Sequence, residues 1–198
     1  MRRSEHLAML RDAVDAFEPC VEIAWRWGYA LADVFATGGR LIAAGNGGSA
    51  AQAQHLTGEL VGRYRDDRRP YSAICLSAET STLTALVNDY PPEELFARQV
   101  AAHGRPGDVL ALLSTSGRSP NVVAAARQGR AMGLTVWAFT GPRPNPLSRY
   151  ADQTLAVPAR STATIQELHL VALHLVCEAL DEAVGVRRPT RTRAAKSA

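Results

Sequence analysis

Two apolar runs constrain this chain more than any other feature, because each is broken by glycine and hydroxyl residues and then followed by a helical pattern. The first is Arg40-Leu41-Ile42-Ala43-Ala44, then Gly45-Asn46-Gly47-Gly48-Ser49, then Ala50 to Val61. The second is Asp108 to Leu113, then Ser114-Thr115-Ser116-Gly117-Arg118-Ser119-Pro120, then Asn121 to Met132. A short apolar run bounded by turn residues reads as a buried strand of a sheet covered on both faces. In a parallel sheet the following loops lie outside the carboxyl ends of the strands, where ligands bind. Glycine lets the backbone turn tightly against a ligand, and free amides at a helix start favour an anion. Hydroxyls add donors without adding charge. The two loops therefore predict a phosphorylated small metabolite. Neither loop fits GxGxxG or GxxxxGK[ST], which argues against dinucleotide and P-loop chemistry. Ser49 is placed to serve as a helix N-cap.

The rest of the chain repeats the alternation. Residues 5–37 carry apolar positions at three- and four-residue spacing, a helix in one or two segments that ends at Gly38-Gly39. Strands are predicted at Tyr71–Leu76, Leu134–Phe139 and Gln153–Val157, and helices at Ser81–Val87, from Pro91-Pro92 to His103, and over 163–184. The last helix has an apolar stripe at Ile165, Leu168, Val171, Ala172, Leu175 and Leu180. Residues 63–70, polar and charged, read as an exposed loop. The fold class is α/β: five strands in a mostly parallel sheet, helices on both faces, and an extra helical region at the N-terminus.

A chain of 198 residues with 46% hydrophobic residues suits one domain, here 1–186. The remaining segment, 187–198, holds Arg187, Arg188, Arg191, Arg193 and Lys196 and reads as a basic disordered tail. Its basic residues outweigh the net charge of +3, which leaves the body close to neutral or slightly acidic, so no broad basic face for nucleic acid is implied. No uninterrupted apolar run reaches the roughly 18 residues of a membrane span. Cys20, Cys75 and Cys177 form no CxxC, are odd in number and read as buried thiols in a reducing cytoplasm.

Polar residues recur on two helices that are otherwise apolar. His55 and Glu59 are four residues apart, about 6 Å along one helix face. Gln166 and His174 share a face of the last helix. Together the four offer nitrogen and oxygen donors suited to zinc or a similar divalent ion, or to proton transfer beside a sugar carbon. Solvated or packing pairs remain an alternative for each. Glu167 and His169 fall on other faces and read as structural or interfacial, and His103 as exposed.

Taken in combination, several motifs resemble the phosphoheptose isomerases of the sugar-isomerase (SIS) fold, over roughly residues 5–184. They are Gly45-Asn46-Gly47-Gly48-Ser49-Ala50, Gln54-His55, Glu59-Leu60-Val61-Gly62-Arg63, Asn88-Asp89-Tyr90, Arg105-Pro106-Gly107-Asp108-Val109, Ser114-Thr115-Ser116-Gly117 with Ser119-Pro120-Asn121-Val122, and Ile165-Gln166-Glu167 with His169 and His174. The resemblance implies an SIS-type three-layer sandwich and an aldose–ketose isomerase. It would convert D-sedoheptulose 7-phosphate to D-glycero-D-manno-heptose 7-phosphate through an enediol. It further implies a cytoplasmic homotetramer with sites at subunit interfaces and one Zn2+ per subunit.

By that resemblance Glu59 is the base and His174 the acid/base partner, while His55, Glu59, Gln166 and His174 hold the metal. Asn46, Gly47, Ser49, Asn88, Asp89 and Gln166 approach the sugar, and Ser114, Thr115, Ser116 and Ser119 cradle the phosphate. Arg63 reaches in from a neighbouring subunit. The chain departs from the pattern at Gln52, where an acidic residue is frequent, at Thr164, where arginine is frequent, and in its charged loop Arg65–Arg69. Two other roles share the fold. One is a non-catalytic tetramer that binds the bacterial replication initiator, against which Glu59 and His174 both speak. The other is a sugar-phosphate sensor fused to a DNA-binding domain, for which the chain leaves no room.

Overall fold

The computed structural model describes residues 5–186; the basic segment 187–198 lies outside the described residues. Two helices, α1 (Glu5–Asp15) and α2 (Glu18–Ala36), precede the first strand. Alternation then begins with β1 (Leu41–Gly45), α3 (Gly48–Val61), β2 (Ala73–Cys75), α4 (Thr80–Asp89) and α5 (Glu94–His103). It continues with β3 (Val109–Ser114), α6 (Pro120–Ala131), β4 (Thr135–Thr140), a short 3-10 turn (Leu147–Arg149), β5 (Gln153–Ala156) and α7 (Thr162–Ala183). The strands form one parallel sheet in the order β2-β1-β3-β4-β5.

Every residue of β1 and β3 is buried, so consecutive side chains feed two different cores. Leu41, Ala43, Val109, Ala111 and Leu113 point to a core shared with α2, α3 and α7. Ile42, Ala44, Leu110 and Leu112 point to the other, closed by α5 and α6. This is the three-layer arrangement expected of unbroken apolar strands. On the first face Trp27 stacks on Trp137 with ring centroids 4.7 Å apart, and its Nε1 donates to Gln153 Oε1 at 2.7 Å. Gly28 brings α2 against α7: a Cβ there would stand 2.5 Å from the Cβ of Ala179.

The strand order reverses between β1 and β3, which are neighbours although β2 intervenes in sequence. Such a reversal opens a crevice between the two loops that leave the strands. Those are the two glycine- and hydroxyl-rich loops.

α7 is long and apolar enough to cross a membrane by composition, yet 56% of its apolar window is buried inside the fold. Its inward face follows Ile165, Leu168, His169, Ala172, Leu173, Val176, Cys177 and Leu180. The predicted stripe needs correction at two places, since Val171 is 44% exposed and Leu175 only half-buried. Cys75 also departs from expectation. It sits half-buried on the three-residue edge strand β2, whereas Cys20 and Cys177 are buried with thiols pushed up to about 11 and about 12 by desolvation. His103 is exposed, as expected.

Candidate active site

The first loop turns through Gly47, whose φ of 54° only glycine adopts freely. Gly47 is the residue that caps α3, and the helix starts at Gly48, two residues earlier than a serine cap would allow. Ser49 is therefore not the N-cap; it sits within the first turn, 4% exposed. Asn46 crosses the crevice to the first turn of α6, which follows the second loop. Its carboxamide and that of Asn121 exchange two hydrogen bonds, both 2.9 Å. The second loop is equally ordered: Ser114 Oγ lies 3.1 Å from Ser119 Oγ, and Ser116 Oγ accepts the Arg118 amide at 3.2 Å. Thr115 is half-buried beside them.

α3 and α7 run side by side in the same direction. At their N-terminal ends the Gln166 carboxamide lies so close to Gly48 that a Cβ there would be 2.6 Å from Nε2. The Gln52 side chain donates to the backbone carbonyl of Gln166. Further along, His55 and His174 turn their Nε2 atoms to each other at 3.0 Å, and Glu59 Oε1 lies 3.3 Å from His55 Nε2. The ligand atoms of His55, Glu59 and His174 all fall within 4.8 Å of one another. Glu59 Oε2 is buried without a partner. His174 is held below the ordinary histidine pKa, first by desolvation and then by the charge of His55, with Glu59 opposing. It is therefore neutral near pH 7, with one ring nitrogen able to donate and the other to accept.

Two residues outside the expected set build this seam. Tyr64 stacks on His174, with centroids 5.5 Å apart and planes 28° apart. Arg68 is the larger correction, because 63–70 read as exposed. Its side chain is 3% exposed, pairs with Asp181 at 2.8 Å, and donates to the Glu59 and Leu60 carbonyls at 2.7 and 3.0 Å. A helix leaves its last carbonyls without intrahelical partners, and Arg68 supplies them for α3. The charge run around it was the available signal, but sequence does not say which arginine turns inward.

Other expected residues stand apart in the single chain. Arg63 is exposed and donates to the Arg65 carbonyl at 2.8 Å; Asn88 and Asp89 are exposed at the end of α4 and bond to each other at 2.7 Å. Glu167 pairs with His6 at 2.8 Å, tying α7 to α1. His169 is fully buried, and its Nε2 donates to the Thr140 carbonyl at 3.1 Å.

With this geometry in place, comparison with known proteins identifies the family. Residues 25–141 match the SIS domain model. The phosphoheptose isomerase of Streptomyces coelicolor is 59% identical over 193 residues, which is 98% of this chain and 83% of that protein. The chain belongs to the phosphoheptose isomerase family. The solved structure of phosphoheptose isomerase GmhA from Neisseria gonorrhoeae agrees with a TM-score of 0.84 at 34% identity, covering 91% of this chain and 97% of that one. The fold reaches beyond the family. The sugar isomerase domain of the RpiR transcription factor from Sphaerobacter thermophilus superposes with a TM-score of 0.60 at 18% identity, over 92% of this chain and 96% of that one, a likeness of fold alone. Family members are isomerases, and in this one α3 leaves the first loop and carries His55 and Glu59 to the seam with α7.

Proposed function

We propose that this chain interconverts D-sedoheptulose 7-phosphate and D-glycero-D-manno-heptose 7-phosphate. The observation that carries the proposal is the convergence of His55, Glu59 and His174 in the α3–α7 seam, along the helix that leaves the first of two anion-suited loops. Proton transfer between C1 and C2 needs a base with a free lone pair, and Glu59 Oε2 is buried and unpartnered. In the forward direction Glu59 takes a proton from C1, the C1–H electrons form a C1–C2 double bond, and the C2 carbonyl oxygen gains a proton. The enediol then loses its O1 proton as C1 becomes a carbonyl, and C2 receives a proton from Glu59. His174, neutral and facing the same point, exchanges the O1 and O2 protons. Asn46, Gly47, Ser49 and Gln166 orient the sugar, with Asn88 and Asp89 approaching it, while Ser114, Thr115, Ser116 and Ser119 hold the phosphate.

The same cluster fits a divalent cation. Two imidazole nitrogens aimed at one point and a carboxylate with a free oxygen are a zinc-type donor set, and Gln166 on the same helix is the fourth ligand the family likeness would add. Bound there, one Zn2+ per subunit would supply positive charge beside the enediolate oxygens. A Glu59 that holds metal tightly is a weaker base, so substrate is expected to loosen that ligand.

A homotetramer with sites at its interfaces suits the exposed apolar residues Val87 on α4, Leu170 and Val171 on α7, and Leu7 and Val14 on α1. In that assembly Arg63 would reach a neighbouring site. The free thiols suit a cytoplasmic location. The test is turnover by purified protein, with metal occupancy and mass in solution measured in parallel. Appearance of the aldose with solvent-derived hydrogen at C2 is expected. No conversion would overturn the substrate, activity independent of occupancy would overturn a direct metal role, and a monomeric active species would overturn the assembly.

A further inference from the structure

We infer that Arg118 and Arg160 are phosphate-positioning residues, and that a cavity on the outer side of the second loop is the charged half of the phosphate site. The inference rests on the sugar-phosphate reading above. A phosphate ester carries close to two negative charges at neutral pH. The hydroxyl cradle of Ser114, Thr115, Ser116 and Ser119 offers donors and no positive charge. Immediately beside it lies a cavity of about 320 Å3, lined by Thr115 and Ser116 from the cradle, Arg118, Arg160, Thr162 and Ile165, together with Pro142, Pro144 and Ala159. Its wall holds two guanidinium groups and no carboxylate. Ion pairs of arginine among the described residues engage Arg40, Arg65 and Arg68, and neither Arg118 nor Arg160. Two unpaired guanidiniums facing one cavity suit an oxyanion that each can grip through two N–H groups.

The wall is fixed before any ligand arrives. The Gly141 amide donates to the Thr115 carbonyl at 2.8 Å, and the Leu147 amide to the Gly117 carbonyl at 2.9 Å. At Gly117, where φ is 61°, a Cβ would stand 2.2 Å from Asn145 Oδ1, so only glycine lets the loop close on the 141–147 segment. The cavity also lies at the correct end of the site. Ile165 in its wall precedes Gln166, which touches the first loop, and His174 is nine residues further along α7, about 13 Å by helical rise. An anion gripped at the start of α7 leaves the far end of a phosphorylated chain to reach the proton-transfer pair.

The experiment compares the parent with Arg118→Ala, Arg160→Ala and the two lysine replacements at constant ionic strength. Steady-state kinetics gives KM and kcat for sedoheptulose 7-phosphate and the inhibition constant of inorganic phosphate, while calorimetry gives phosphate affinity without turnover. Each alanine variant is expected to raise KM and weaken phosphate binding by roughly tenfold, with kcat changed far less. Lysine should restore part of the affinity, because it returns the charge without the planar fork. Unchanged KM and phosphate affinity in both alanine variants would overturn the inference, as would phosphate inhibition that is not competitive with substrate. The calorimetric arm stands even if the parent does not turn over this substrate, so loss of the substrate reading and loss of this inference are distinguishable.

Discussion

Two regions of α7 hold a histidine five residues apart and treat it in opposite ways. His169 lies in the core, edge-on to Phe139 at 5.8 Å and bonded to the Thr140 carbonyl. Burial drives its pKa down to about 4, and Nδ1 has no partner. His174 lies in the α3–α7 seam, half-buried, with Nε2 facing His55 and its ring under Tyr64. Five residues turn a helix by about 140°, which sends one imidazole to the sheet and the other to the neighbouring helix. At 169 the ring is enclosed by the core, with one hydrogen bond and one ring nitrogen unpartnered. At 174 two other ionisable groups meet the ring and part of it stays open, the setting the proposed acid/base role requires.

Replacing the seam histidine should give the largest effect. His174→Asn is expected to lower kcat by about 10²–10⁴ with little change in melting temperature; a large fall in stability with normal kcat would reverse the two roles. Next is the support of the seam. Arg68→Ala leaves Asp181 uncompensated and strips the end of α3, at a cost of about 3–5 kcal/mol in urea unfolding, because both partners are largely buried. An unchanged midpoint would mean that Arg68 does not hold Glu59 in place.

The core histidine should reveal itself through acid instead. Its folded pKa lies below the unfolded value of about 6.5, so the unfolded chain binds the extra proton between the two. Stability is then fully present above about pH 6.5 and falls by roughly 3 kcal/mol as pH drops toward 4. His169→Gln should flatten that part of the pH–stability curve while activity at neutral pH persists; an identical curve would contradict the assignment. The smallest effect on stability is expected at the crevice. Asn46→Ala removes an exposed amide pair and should cost about 1 kcal/mol, read as a small shift in melting temperature.

Much of this was legible in the chain because the strands are unbroken apolar runs and the loops are rich in glycine. β1 and β3 lie within one residue of their predicted ends, and the five-stranded sheet with helices on both faces follows from the alternation. Motif likeness singled out His55, Glu59 and His174, and the fold brings them to one point. Local pattern failed where a residue's fate depends on distant chain. Ser49 has the chemistry of a cap, but Gly47 can take a positive φ and starts the helix first. Arg68 stands in a charged run, yet the open carbonyls of α3 and Asp181 on α7 draw it inward. Val171 repeats the apolar spacing of α7 and still faces outward, since the sheet and α2 cover only one side of the helix.

In the proposed reaction Glu59 moves the proton. The direct measurement is turnover of sedoheptulose 7-phosphate in deuterated water by the parent and by Glu59→Gln, following both the aldose and the label carried into it. Loss of isomerisation and of label incorporation by about 10²–10⁴, with unfolding unchanged, is the predicted result. A Glu59→Gln protein that incorporates label at the parental rate would contradict it.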